Sequence, residues 1–389
     1  MIKRIQMDTN INYFEQSIFC YKAYISKALD AILEKYGAKK VLLVRGGKSF
    51  SACGAEEEVA KLREKYEIVE FRDFSVNPKK EDAVRGAEVL KEQGCDVILS
   101  VGGGSAIDTA KLIKYFACGE FKDMSEGDTE VAIPHIAVPT TAGTGAESTQ
   151  FAVCYVNGVK TSISNPKLLP DKAIICPDFT YGNGAYLTAC TGFDALAQAF
   201  EAYWSVNATA ESDVYALQAI LIANKALPLL MEEIQAEGAK NSSHTLRDLL
   251  SKASNLAGQA INITRTTAPH AMSYTLTSKF GYPHGHAVAL TFPYFFFVNI
   301  NCEEENYLGK DYIQYKSKMS SLLNLLSLKS ESLYAYMKEY TKGIGLGFDP
   351  QRPVDTAMVA AGVNAERAKN NPMRLTEEIL KAAAAQITE

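Results

Sequence analysis

Asp194 stands four residues before Gln198, and further along come His270 and His284, the second inside Pro283-His284-Gly285-His286. Side chains at i and i+4 lie one above the other on a helix, so Asp194 and Gln198 can aim at one point. The chain has only 5 histidines, and two of them fall 14 residues apart here. Singly, each residue has a plain reading as a capping aspartate, a satisfied buried histidine or a surface amide. Jointly they read as chemistry: an aspartate and two histidines converging from separate helices make a site for one divalent metal, a Lewis acid for a carbonyl oxygen.

A second cluster handles phosphate. The apolar run Val97-Ile98-Leu99-Ser100-Val101 leads at once into Gly102-Gly103-Gly104-Ser105 and then a helical pattern holding Asp108 and Lys111. Glycines let a pyrophosphate approach the backbone, and the following helix offers free N–H groups and the positive end of its dipole. Three glycines alone would equally suit a tight turn, but their spacing to Asp108 and Lys111 is more specific. A second loop, Pro139-Thr140-Thr141-Ala142-Gly143-Thr144-Gly145-Ala146-Glu147, also follows an apolar strand. The Thr140, Thr141 and Thr144 hydroxyls suit the other side of a pyrophosphate and a ribose. Two such loops at neighbouring strand ends mark the crevice where open α/β sheets bind nucleotides.

These residues need a scaffold. Short β-rich runs at 41–44, 66–71, 97–101, 135–138 and 173–176 alternate with helical patterns, which predicts βαβ crossovers and a mainly parallel sheet. Runs at 151–155 and 160–163 flank Asn157-Gly158, a hairpin signal. From about Tyr186 the apolar residues recur at helical spacing, as in Ala216, Ala219, Ile220 and Ala223. The expected organisation is an α/β dinucleotide-binding domain over 1–182 and an all-helical metal-binding and substrate domain over 183–389, with the boundary in the turn-rich 177–183.

Composition sets outer limits. At 389 residues and 47% hydrophobic content the chain can build two cores. A net charge of -5 with interleaved signs gives no basic stripe for nucleic acid. The 8 cysteines are scattered without a C-x-x-C pair and read as buried hydrophobes in a reducing compartment. No apolar leader follows Met1-Ile2-Lys3-Arg4, so a cytoplasmic protein is expected. The apolar stretch 287–300 is too short to span a bilayer and reads as a core helix, so no membrane partner is expected.

With these motifs in place the chain resembles the iron-dependent, group III alcohol dehydrogenases, whose fold is shared with dehydroquinate synthase. The resemblance runs over most of the chain, through Gly102 to Ser105 with Asp108 and Lys111, Pro139 to Glu147, Thr191-Gly192-Phe193-Asp194-Ala195 and Pro283-His284-Gly285. It implies a metal, Fe²⁺ with Zn²⁺ as the alternative, held by Asp194, His270 and His284, and a homodimer is in keeping with it. Most members carry a histidine where this chain has Gln198, a weaker and harder donor. Gln198 either ligates through its oxygen or hydrogen-bonds a metal-bound water. Many relatives also carry a histidine where Tyr274 stands; the tyrosine could join a proton relay or simply pack.

The resemblance also implies NADH or NADPH, with the pyrophosphate on Gly103, Gly104 and Ser105, Lys160 beside the nicotinamide ribose, and Asn77 and Thr140 near the cofactor. Many NAD-specific members end the first strand with an aspartate that repels a 2′-phosphate. This chain has Arg45-Gly46-Gly47-Lys48 there, so either Gly46 removes the repulsion and Lys48 allows NADPH, or the segment is a glycine turn with a surface lysine. The segment Asn262 to His270, with Gln198, resembles a narrower group that reduces phosphonoacetaldehyde to 2-hydroxyethylphosphonate. Arg265, five residues before His270, either offers a guanidinium fork to such an anionic aldehyde or pairs with a structural carboxylate. The other readings are a general alcohol dehydrogenase, a dehydroquinate-synthase-like lyase, and a nucleotide-binding pseudoenzyme that Gln198 has stripped of metal.

Overall fold

The computed structural model describes residues 16–388 except Asn77 and residues 118–132, 157–158 and 364–367; the side chains of Val159 and Lys160 also lie outside the description. The expected roles of Asn77 and Lys160, and the tip of the hairpin, therefore fall outside the described residues. The chain forms two compact units, one of residues 1–141 with 146–182, the other of residues 142–145 with 183–389.

In the first unit β1 (Ser17–Phe19), β2 (Lys40–Arg45), β3 (Glu67–Phe71), β4 (Val97–Gly102), β5 (His135–Pro139) and β8 (Lys172–Ile175) form one sheet in the order β1-β8-β5-β4-β2-β3. Every neighbouring pair is parallel. Alternate residues of each strand face opposite sides, and both sides are covered. Val41, Leu43, Val97, Leu99 and Val101 pack with α1 (Lys22–Lys35), α2 (Lys48–Ala52) and α3 (Ala55–Ala60). Leu42, Val44 and Ile98 pack with α4 (Lys80–Glu92) and α5 (Gly104–Ala117). The antiparallel hairpin β6 (Phe151–Val156) and β7 (Val159–Ser164) adds Ala152, Cys154 and Ile163 to this second core.

At three residues β1 carries too little alternation to register in the sequence. It is an edge strand seated by register with β8, Ser17 to Ala173 and Phe19 to Ile175.

The second unit is helical: α6 (Ala185–Trp204), α7 (Ala210–Glu237), α8 (His244–Thr264), α9 (Ala268–Phe280), α10 (His284–Ile300), α11 (Tyr312–Leu326), α12 (Leu333–Gly343), α13 (Thr356–Ala361) and α14 (Glu377–Ala385). α7 is long and apolar enough to cross a bilayer by length and composition, but half of its most apolar window is buried and it packs on α6 and α8. α6 and α10 lock together through Phe193, Phe200, Trp204, Phe292 and Phe296, with ring centroids 5.0–5.7 Å apart for Phe193–Phe292, Phe200–Phe292, Phe200–Phe296 and Trp204–Phe292. Three glycines permit close approach inside this unit. Gly145, at φ +59°, and Gly258 of α8 meet backbone to backbone, where a Cβ on either would collide. A Cβ on Gly285 would run into the Cys190 carbonyl, so glycine lets the first turn of α10 settle on α6.

Candidate metal centre and nucleotide loop

Three helices deliver the polar cluster. Asp194 and Gln198 are one turn apart on α6, His270 is in the first turn of α9 behind Pro269, and His284 is the first residue of α10. One ligand atom from each of Asp194, His270 and His284 lies within 4.8 Å of the others. His270 Nε2 is 3.1 Å and His284 Nε2 3.7 Å from Asp194 Oδ1. Asp194 and His270 are buried, while the His284 side chain is 32% exposed. That exposure gives the cluster one open side.

Gln198 Nε2 donates to Asp194 Oδ2 at 3.1 Å. A carboxylate only accepts, so this contact fixes which end of the amide faces Asp194. The other end, Oε1, is buried with no hydrogen-bond partner among the described residues, a costly state for a carbonyl oxygen. A cation gives that oxygen its partner. Atoms bound to one ion at about 2.1 Å lie about 3.0–3.4 Å apart in octahedral or tetrahedral geometry; the 3.1 Å His270–Asp194 spacing falls in that range and the 3.7 Å His284–Asp194 spacing lies outside it. Two imidazoles, a carboxylate and an amide oxygen suit Fe²⁺ or Zn²⁺. The residues fit a metal.

Glu201, one turn beyond Gln198 on the same face of α6, was missed by the sequence reading. It is wholly buried. One oxygen accepts from His270 Nδ1, and the other accepts from Thr267 N at 2.5 Å and Thr267 Oγ1 at 2.9 Å. Trp204 Nε1 donates to the same Thr267 hydroxyl at 2.9 Å. Burial alone would push the His270 proton off, yet the Glu201 and Asp194 carboxylates on either side overcome it and hold the imidazole up to about 9. The pocket therefore draws positive charge. Only the spacing 194, 198, 201 on one helical face could have flagged Glu201.

Tyr274 follows His270 by one turn, its ring centroid 6.4 Å from that of His284. Arg265 is the half-buried C-cap of α8, and its backbone is unusual, with φ 65° and ψ 173°. That region is open essentially to glycine. The turn is pinned from several directions. Thr264 Oγ1 donates to Arg265 O at 3.0 Å, Ser205 Oγ to Thr264 O at 3.3 Å, and Asn370 Nδ2 to Thr266 O at 3.0 Å.

In the first unit Gly46, Gly102 and Thr140 sit together at the carboxyl ends of β2, β4 and β5. Gly46 N donates to Val101 O at 3.1 Å and Thr140 N to Gly102 O at 3.0 Å. α5 begins at Gly104, and a Cβ on Gly103 would stand 3.4 Å from Thr141 Oγ1. The chain reverses its direction across the sheet between β2 and β4, the kind of point where open α/β sheets take nucleotides. Ser105 is half-buried in the first turn of α5, Lys48 is exposed at the start of α2, and Thr144 is half-buried in the second unit. Asp108 Oδ2 accepts from Val153 N at 3.0 Å, and Lys111 Nζ donates to Phe151 O at 2.9 Å and Thr149 Oγ1 at 3.0 Å. Both therefore tether the hairpin to α5.

Residues 17–177 match the family described as iron-containing alcohol dehydrogenase, and residues 188–344 match the C-terminal domain of the Fe-containing alcohol dehydrogenase family. The chain belongs to the iron-containing alcohol dehydrogenases and is an oxidoreductase. It is 32% identical over 293 residues, 72% of this chain and 74% of the other, to the NAD-dependent methanol dehydrogenase of Bacillus methanolicus. It is 34% identical over 218 residues, 53% of each chain, to the phosphonoacetaldehyde reductase of Streptomyces viridochromogenes. The crystal structure of sulfoacetaldehyde reductase from Bifidobacterium kashiwanohense in complex with NAD⁺ superposes with TM-score 0.78 at 25% identity, covering 96% of this chain and 97% of that one.

Proposed function

We propose that this protein reduces a short aldehyde carrying an anionic head, phosphonoacetaldehyde first among the candidates, to its primary alcohol with NADH or NADPH. Asp194, His270, His284 and the Gln198 amide oxygen would hold one divalent metal, Fe²⁺ or Zn²⁺. A bound ion supplies Lewis acidity, drawing electron density from the aldehyde oxygen. A bound reduced nicotinamide would supply the hydride that, with one proton on the oxygen, makes the alcohol. The residues of the chain do the rest: Arg265 binds the anionic head in a fork, Tyr274 relays the proton, and Gly102 to Ser105 with Thr140 and Thr141 cradle the pyrophosphate and ribose.

The observation that carries the anionic head is Arg265 itself, an arginine kept at a backbone conformation that favours glycine. Two similar proteins are named for aldehydes with a phosphonate or a sulfonate beside a two-carbon chain. The second reading is a neutral short-chain alcohol dehydrogenase, favoured by the longer alignment with a methanol dehydrogenase. NADH and NADPH oxidation by metal-loaded protein, measured with phosphonoacetaldehyde, sulfoacetaldehyde and propanal, separates the two. The anionic aldehydes should lead in kcat/KM by at least about tenfold, the worth of one charge-assisted contact. Equal rates with propanal would leave only the neutral reading.

A further inference from the structure

We infer that Glu201 is a positioning residue for the metal centre: it fixes the ring of His270 and supplies the second negative charge that a buried divalent ion requires. The inference rests on the metal-site reading above and extends it to a residue outside the ligand set.

Charge is the first argument. Asp194 brings one negative charge, whereas His284, Gln198 and a ligating His270 are neutral. A dication held by these four alone would leave one uncompensated positive charge among buried groups, and such a charge is strongly disfavoured in a low-dielectric interior. Glu201, fully buried and hydrogen-bonded to the far nitrogen of His270, brings the total to neutrality. Geometry is the second. A histidine can offer Nε2 to a metal only when Nδ1 carries the proton, and a carboxylate facing Nδ1 selects that tautomer and fixes the ring plane. His270 Nε2 is thereby turned toward Asp194 Oδ1 at 3.1 Å.

Glu201 is itself held against rotation. Its second oxygen is occupied by Thr267 N at 2.5 Å and Thr267 Oγ1 at 2.9 Å, and that hydroxyl is set by Trp204 Nε1 at 2.9 Å. Thr267 is the N-cap of α9, the helix that carries His270. One carboxylate thus fastens both the start of this helix and the ring it presents. A residue serving the fold alone would need only the Thr267 contacts; the His270 contact is the one directed at the ion.

The test compares full-length wild type with Glu201→Gln, Thr267→Val and Thr267→Ser. Affinity for Zn²⁺ is read by competition with a chelating dye, and ligand geometry by the visible spectrum of the Co²⁺-loaded protein. Glu201→Gln keeps the shape, removes the charge and should weaken Zn²⁺ binding about 10- to 100-fold, the usual effect of losing such a partner, with an altered Co²⁺ spectrum. Thr267→Val removes one donor to Glu201 and should weaken binding about 3- to 10-fold, the worth of one hydrogen bond, while Thr267→Ser retains the wild-type affinity and spectrum. Affinity within twofold of wild type and an unchanged spectrum in Glu201→Gln would overturn the inference. If that variant does not fold, the threonine pair decides: equal affinities in Thr267→Val and Thr267→Ser would overturn it. Failure of the wild type to bind Zn²⁺ or Co²⁺ would instead remove the metal-site reading itself.

Discussion

Replacing Arg265 by glycine should give a more stable protein than replacing it by alanine, the reverse of the usual order. The two variants lose the same guanidinium and differ only by a Cβ. At an ordinary position glycine is the worse choice by about 0.4–1 kcal/mol, because it enlarges the freedom of the unfolded chain. At φ 65° and ψ 173° a Cβ-bearing residue carries about 1–3 kcal/mol of backbone strain, since only glycine occupies that region freely. The difference leaves the glycine variant ahead by about 0.5–2 kcal/mol. For a unit the size of the helical half, that is about 1–8 °C in Tm. The turn cannot relax away from the strain without breaking the bonds from Ser205 to Thr264 O and from Asn370 to Thr266 O. Differential scanning calorimetry of both metal-free variants reads the shift directly. Both should also lose the preference for an anionic aldehyde: kcat/KM for phosphonoacetaldehyde falls about 30- to 150-fold, the loss of about 2–3 kcal/mol, while the value for propanal changes little. An alanine variant melting at or above the glycine variant would refute the strain. An equal loss on both aldehydes would refute the head-group role.

His270→Ala or His284→Ala should remove metal and activity together, and full occupancy by elemental analysis in both would defeat the ligand assignment. Gly104→Asp places bulk and negative charge at the start of α5, so NADH binding followed by fluorescence should fall at least about tenfold while metal content stays unchanged; undiminished affinity would move the dinucleotide elsewhere. Gln198→His exchanges an amide oxygen for a stronger imidazole donor, and Zn²⁺ affinity should rise about tenfold or more; weaker binding would show that the amide contact to Asp194 outweighs the donor. NADPH should serve at least as well as NADH in kcat/KM, with Lys48→Ala lowering the NADPH value selectively, and a strong preference for NADH in the wild type would show that Lys48 plays no part.

The fold was legible where one period ran long enough to be read. Val41 to Val44 and Val97 to Val101 alternate between two cores, and the switch to helical spacing near Tyr186 coincides with the start of α6 at Ala185. β1 was not legible, because three residues fix no period and its place is set by pairing with β8, more than 150 residues away. In the metal cluster, His270 and His284 stood out by rarity. Glu201 did not, because a glutamate in a helix reads by default as a solvated charge, and only the fold reveals that α9 covers it.

Arg265 marks the limit of local reading more sharply. Nothing in Thr264-Arg265-Thr266-Thr267 announces a positive φ, and that conformation is ordinarily glycine's. The bonds that impose it come from elsewhere: Ser205 lies 59 residues before Thr264, and Asn370 lies 104 residues after Thr266. Asn370 is itself tied back by Asn207 Nδ2 at 2.9 Å, so two distant segments brace one turn. Glycine would relieve the strain at no loss of those backbone bonds, so the reason for arginine lies in what its side chain contacts. What arginine adds over glycine is its side chain. The conflict between local preference and tertiary restraint thus falls beside the helix that carries His270, where binding an anion would account for keeping it.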